Sequence, residues 1–427
     1  MLLNVMNKLN AFAMKSFPAL THPPFRWFWG GQIISLIGTW TQNVGQAWLV
    51  LQITDSPFLL GLVSALQFLP MLLFSLHAGV WIDRLPKRRI LILTQSVMMI
   101  LAFLLASLVG SGLIQFWMLA LIAFVLGIAN TVDVPARQSF VIELVGKKHL
   151  TNAIALNSAI FNGARLAGPA IAGIIMALWG ATWCFIINGI SFIGVILILV
   201  FLLPAKQVET NPSDRSNTPV QQQPMWPEIK EGLLYIKRTP PIFLSILMIG
   251  VLSPLAMNFN VLVPVLAKMD LHRDVLGYGL LMSAMGFGAM LGALTVALLS
   301  KFGPRVPILL GGAGGLGIFS ILLGFQVNYG TAALILAFMG WCMIVFAASA
   351  NSLIQMTVDN RLRGRVMSVY SLVFGGMTPV GSFFSGSLAH LWGARKTFAF
   401  SGFLVLVFLG FILPFQRKLQ ARPRREG

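Results

Sequence analysis

Arg165 is the residue with the most chemistry to explain. It lies about 11 positions into an apolar run, some 16 Å along a helix and hence near the middle of a bilayer. An arginine at that depth costs about 2.5–3.5 kcal/mol on insertion scales, so it must face a partner or a wet cavity. Two readings stand: an anchor for an anionic or carbonyl-rich substrate, or a structural pair to helix carbonyls and polar neighbours. A second polar feature precedes it. Gln32, Ser35, Thr39, Gln42 and Gln46 recur at spacings of three and four, which places them on one helix face, with Asn43 beside them. Such a stripe faces either a cavity or another helix, and cavity lining is the expectation here. Asn258, Asn260 and Asn351 are further polar candidates. Trp341 and Tyr370 offer ring faces that could stack on a cyclic substrate or simply pack in a core.

The acids are placed differently. Of the 12 Asp and Glu, none falls in the middle of an apolar run. Only Asp55 and Asp133, at the ends of such runs, come near membrane depth. The five histidines are scattered, which argues against a catalytic or metal-binding cluster, although His77 offers one titrating group. Cys184 and Cys342 both sit in apolar runs, so neither a disulfide framework nor a metal site is expected. No cofactor is expected. Gly312, Gly314 and Gly317 match a Gly-x-Gly-x-x-Gly spacing, but no strand precedes them and close helix packing explains them. A phosphate-cradling Gly-x-x-x-x-Gly-Lys-Ser/Thr segment is missing, which argues against an ATP-driven pump of one chain.

The elements that must position these residues are membrane helices. The 427 residues are 57% apolar and only 10% charged, where a soluble domain carries about 25% charged residues. Runs of about 20 apolar residues, the length that crosses a bilayer, lie near 27–53, 57–82, 90–111, 115–135, 154–178 and 181–203. Six more lie near 240–267, 275–299, 305–327, 330–354, 366–390 and 393–414. Twelve helices in an all-α membrane fold are expected, as two six-helix halves, 25–204 and 239–415, around a central cavity. A cytoplasmic tail (1–24), a linker ending in a surface helix (205–238) and a basic tail (416–427) complete the division. The linker is rich in Ser, Asn, Gln and Pro and reads as solvated chain. Leu2, Leu3, Met6, Leu9 and Phe12 could form one side of an interfacial helix, or the tail could fray. No secretory signal peptide is expected at the N-terminus.

The net charge of +18 resolves into a topology. With both termini cytoplasmic, 25 of the 30 Lys and Arg fall on the cytoplasmic side, four fall opposite, and Arg165 lies within a span. That asymmetry is the positive-inside rule, and it removes the reason to expect a nucleic-acid partner. Membrane lipids and a small-molecule substrate are the expected partners, with a monomer as the expected unit.

Between the second and third runs come Gly79, Asp83, Arg84, Lys87, Arg88 and Arg89. Gly79 permits close helix approach, Asp83 can accept from an opposing helix N-terminus, and the arginines can grip a carboxylate. This loop resembles the signature of the major facilitator superfamily, with Pro86 in place of its second glycine; the matching loop of the second half has Ser300 where the acid should stand. Asp133 stands where that superfamily places an acid that pairs with the loop arginine, and Arg137 is expected with it at the cytoplasmic gate. Gly168, Pro169 and Gly173 resemble the Gly-Pro motif of its antiporters, with Ala172 replacing a glycine. The first run, with Arg26, Gly38, Trp40 and Gln46, is similar to the exporter branch that includes enterobactin and macrolide efflux proteins. The resemblance implies secondary export of an amphipathic siderophore or drug from the bacterial cytoplasm by alternating access, in exchange for protons. It also implies a cytoplasmic latch of Asp83, Arg88 and Asp133. A lysophospholipid or other lipid-like cargo is the alternative, and an integral-membrane enzyme a remote one.

Overall fold

The computed structural model describes residues 17–202, 225–299, 303, 306–359 and 361–420, without the side chains of 76–81, 83–84, 147, 225–230 and 415–420. The first 16 residues, most of the linker and the end of the basic tail therefore lie outside the described residues. So do the side chains of His77, Gly79, Asp83 and Arg84.

All described secondary structure is helical. Helix α1 (Pro23–Thr54) starts on a proline pair, where the missing N–H is no loss. It ends at Asp55, whose φ of 46° is the left-handed turn that stops a helix. Helix α2 (Pro57–Arg84) again opens on proline, and α3 (Lys87–Gly110) follows. One continuous rise from 116 to 179 is divided by Gly146, at φ 67°, into α4 (Phe116–Gly146) and α5 (Lys148–Trp179). Both outrun the apolar segments in the sequence, because polar stretches such as 137–143 extend the helix beyond membrane depth. Helix α6 (Ala181–Leu197) ends in a π turn, Ile198–Leu202. The surface helix α7 (Met225–Arg238) precedes α8 (Pro240–Ala256).

The seventh apolar run is one segment in the sequence and two in the structure. Pro254 and the non-helical Met257 and Asn258 separate α8 from α9 (Phe259–Val265). The rest comprises α10 (Val275–Leu299), α11 (Val306–Gly324), α12 (Tyr329–Thr357) and α13 (Arg363–Gln420), which turns at Gly393 with φ 82°. Among the described residues, ten stretches are long and apolar enough to cross a bilayer. Helix α1 is not among them, because its polar stripe lowers its mean hydropathy. The stretch Arg363–Pro414 is 52 residues long and contains the Gly393 turn. The chain is thus a multi-pass membrane protein.

Helices α1 to α6 pack largely on one another, as do α8 to α13; α2 against α13 and α5 against α10 join the two sets. The joins are built on glycine. A Cβ on Gly61 would lie 2.6 Å from the Ser382 carbonyl and 2.8 Å from the Gly386 Cα. Gly173 and Gly279 meet in the same way between α5 and α10. Lipid supplies no hydrophobic drive between apolar helices, so close backbone contact must hold them.

The segment before α1 is docked by polar contacts. The Ala19 amide donates to Asn152 Oδ1 at 3.0 Å, and His22 Nε2 lies 2.7 Å from His149 Nδ1. Burial, and then the neighbouring His149, hold the His22 pKa below its ordinary value.

Two outcomes follow. Gly288 packs on the Ala337 backbone, leaving no room for a Cβ. Gly288→Val should lower stability by about 1–3 kcal/mol, read as a depressed Tm in detergent, whereas Gly410→Ala, which meets open space, should not. Because the folded state disfavours protonated His22, docking is strongest at high pH. It should weaken as pH falls below the ordinary histidine value of about 6.5. Hydrogen exchange would show this as a falling protection factor for the Ala19 amide.

Candidate functional site

A small, partly open pocket lies between α1, α2 and α9. Its polar lining is Asn43, Gln46, Ser64, Gln67 and Asn260. Ala47, Val50, Leu60, Val63 and Phe68 supply the apolar walls. Gln46 Nε2 donates to Gln67 Oε1 at 3.3 Å, while Gln46 Oε1 is enclosed without a hydrogen-bond partner. Buried acceptors are rarely left so. The lining carries donors and acceptors but no charge, which suits hydroxyl, amide and carbonyl groups.

The break in the seventh run places Asn260. Asn258 Nδ2 donates to the carbonyls of Ser253 (3.3 Å) and Pro254 (2.7 Å), where helical amides would otherwise reach. Asn258 therefore serves the backbone. It is buried against Gly381, where a Cβ would come within 2.5 Å of its Nδ2.

Arg165 lies near the middle of α5 and is partly exposed. Its guanidinium carbon stands 5.9 Å from the Trp40 ring centroid, and Nη2 is 3.6 Å from Met343 Sδ. Among the described residues, no carboxylate pairs with it. Its backbone is pressed on α10, where a Cβ on Gly286 would meet the Arg165 carbonyl at 2.8 Å. The motif after it is used for packing. Gly168 accommodates Trp40, and its carbonyl accepts from Thr41 Oγ1 at 3.4 Å. The Pro169 carbonyl and Gly173 abut Gly279.

The polar stripe of α1 divides among neighbours. Gln32 accepts from Arg137, Thr39 Oγ1 donates to its own helix at Ser35 O (2.9 Å), and Gln42 Oε1 accepts from Asn188 of α6 at 2.8 Å. Of the stripe, Gln46 lines the pocket, with Asn43 from the adjacent flank. Trp341 Nε1 donates to Thr295 Oγ1 at 3.0 Å, and Tyr370 stacks on Phe374 at an interplanar angle of 13°. Asn351 pairs with Gln355 one turn on.

At the basic face, Asp133 is fully buried. It accepts from Thr94 Oγ1 (2.8 Å), from Gln95 Nε2 (2.9 Å) and from Arg137. Arg88 is occupied elsewhere: it donates to the carbonyls of Leu199 and Val200, 2.6 and 3.0 Å away, at the C-terminal end of α6. Cations suit that end of a helix dipole. At the opposite face the two helix sets are tied together. Trp48 stacks on Tyr278 with centroids 5.8 Å apart, and Lys268 of the π turn after α9 reaches the Leu51 carbonyl (2.7 Å) and Asp55. Among the described residues of the basic face, Lys87 of α3 pairs with Glu143 of α4, and Glu231 of α7 pairs with Arg361 and Arg365.

Ser64, Gln67 and Asn188 escaped the sequence reading. Their signal was faint: pairs of small or amide residues three apart, Ser64 with Gln67 in α2 and Asn188 with Ser191 in α6, within largely apolar runs. Only the partner helices give them meaning.

The profile of the transmembrane secretion effector family matches residues 14–424. The staphyloferrin A transporter of Staphylococcus aureus is 26% identical over 405 residues, 93% of this chain and 97% of its own. The enterobactin exporter of Citrobacter koseri is 24% identical over 92% of this chain and 91% of its own. In fold, the chain is similar to a bacterial homolog of the human lysosomal transporter Spinster, solved in an inward-facing, unoccupied conformation. Their TM-score is 0.73 at 14% identity, covering 94% of this chain and 98% of that one. With a family profile spanning nearly its whole length and a polar pocket between packed membrane helices, the chain belongs to the transmembrane secretion effector family of major facilitator transporters, which are not enzymes.

Proposed function

We propose that the chain exports an amphipathic small molecule of the siderophore or drug class from the bacterial cytoplasm by alternating access. The observation that carries this reading is the charge-free polar pocket with its unpartnered Gln46 oxygen, in a chain whose full-length relatives include an exporter. Twelve spans divide as two six-helix halves, 25–204 and 239–415. Adding α1 and dividing α13 at Gly393 brings the ten apolar stretches to that number. The basic face is cytoplasmic, with both termini on it, by the lysine and arginine asymmetry. The ties at the far face, Lys268 with Asp55 and Trp48 with Tyr278, then close the exterior. The halves rock about the α2–α13 and α5–α10 joins. The proton-motive force is the energy source, with protons as the counter-ion that the family resemblance implies.

The cargo is a monomeric carrier's small molecule, held in part by Asn43, Gln46, Gln67 and Asn260. A deletion strain complemented with the chain should accumulate less of a siderophore or macrolide than the bare strain. Collapse of the proton gradient should abolish the difference. Lower retention of a lysophospholipid alone would favour lipid-like cargo. No difference for any compound, with the protein present in the membrane, would overturn the reading. Replacing Gln46 and Gln67 with leucine should raise the apparent KM of export by roughly 5–30-fold, the worth of one or two buried hydrogen bonds. An unchanged KM would remove the pocket from the binding site.

A further inference from the structure

Among the described residues, no acid pairs with the charge of Arg165. The Trp40 ring and the Met343 sulfur stabilise a guanidinium without neutralising it. Asp55 ends α1 at one face, and Asp133 lies towards the other. The residue is partly exposed, and its guanidinium lies between Trp40 of α1 and Met343 of α12, one from each helix set.

We infer that Arg165 is the charge through which the membrane potential drives export, and that it takes the anionic group of the cargo. The inference rests on the alternating-access reading above. In such a carrier the site stays in place while the closed barrier moves from one side of it to the other. The electrical potential falls across the closed part. Arg165 is therefore at cytoplasmic potential when the cavity opens inward and at external potential when it opens outward. An empty carrier thus carries one positive charge through most of the field each time it switches. A cell interior that is negative pulls that charge inward, resetting the empty carrier to face the cytoplasm. With a monoanion bound on Arg165 the cavity is neutral, and the loaded carrier switches without electrical work. Over a full cycle one negative charge leaves the cell. The scheme needs no titrating acid at mid-membrane for its electrical part, in keeping with the placement of the acids. The neutral pocket of Gln46 and Gln67 holds the uncharged polar part of the same cargo.

The test needs no knowledge of the cargo. Ser64 lines the pocket beneath the exterior closure, so a Ser64→Cys reporter is open to an external, membrane-impermeant thiol reagent only when the carrier faces outward. The native cysteines are buried and serve as the background. In right-side-out vesicles, valinomycin and a potassium gradient set the potential. One elementary charge across 100 mV is worth about 2.3 kcal/mol. Labelling should therefore slow by up to about fiftyfold when the interior is made 100 mV negative. Arg165→Gln should remove that dependence and Arg165→Lys should keep it. Toluenesulfonate, a permanent amphipathic anion, should flatten the dependence, while the uncharged toluenesulfonamide should not. Labelling indifferent to potential in the reporter protein, or a dependence that survives Arg165→Gln, overturns the proposal. A toluenesulfonate that changes nothing removes its anion-binding half. Loss of the export reading itself would show separately, as an unchanged accumulation in cells with the potential response intact.

Discussion

Two glycine contacts, Gly61 on Gly386 and Gly173 on Gly279, hold the two helix sets together, and the polar chemistry of the membrane depends on them. Lipid tails are as apolar as leucine, so helices in a bilayer gain little by hiding apolar side chains from them. What remains is dispersion between closely fitted backbones, together with a few polar bonds. A Cβ at either contact would push α2 from α13 or α5 from α10. The space that these pairs enclose would then lose its shape. Arg165 hangs on the same α5–α10 join, since its own carbonyl is the surface that Gly286 meets. The join and the charge are therefore positioned by one contact.

Much of the fold was legible as a pattern of apolar runs, because bilayer thickness imposes a length that any span must meet. The breaks inside runs were less so. Pro254 was visible, but not that Asn258 would satisfy the carbonyls behind it and so open the helix at Met257. The α1 stripe is periodic in the sequence, yet its members turn to three different partners, Arg137, Asn188 and Gln67. Periodicity gives a face; it does not give the neighbour that the face meets. Asp133 illustrates the same limit. Resemblance points to an arginine of the signature loop as its partner. Among the described side chains it is held by Arg137 one turn along and Arg88 caps α6, while the Arg84 side chain lies outside the described residues. A local i, i+4 partner fixes less chain than a distant one.

The polar groups nearest the pocket bear on what a cargo would meet. Several polar side chains of α8 to α13 are occupied: Trp341 by Thr295, Asn258 by its own helix, Ser253 by the Phe374 carbonyl, Ser320 by the Phe398 carbonyl. Helices α1 and α2 leave donors and acceptors open at Asn43, Gln46, Ser64 and Gln67. Helices α10 and α12 themselves are rich in glycine, methionine and aliphatic residues. Methionine conforms to varied apolar shapes because its unbranched chain is flexible and its sulfur polarizable.

A carrier with this division reads the two parts of an amphipathic molecule in different ways. The polar side demands hydrogen bonds, and an analogue that lacks them leaves Gln46 or Gln67 buried and unpaired, which is a severe penalty. The apolar side demands only volume. Changes in the greasy part of a cargo should therefore be tolerated far better than changes in its hydrogen-bonding part. Breadth and selectivity then coexist in one site, with breadth set by the apolar walls of Ala47, Val50, Leu60, Val63 and Phe68 and selectivity by the amides beside them. Arg165, fixed on α5, adds a requirement of charge to one of shape and one of hydrogen bonding.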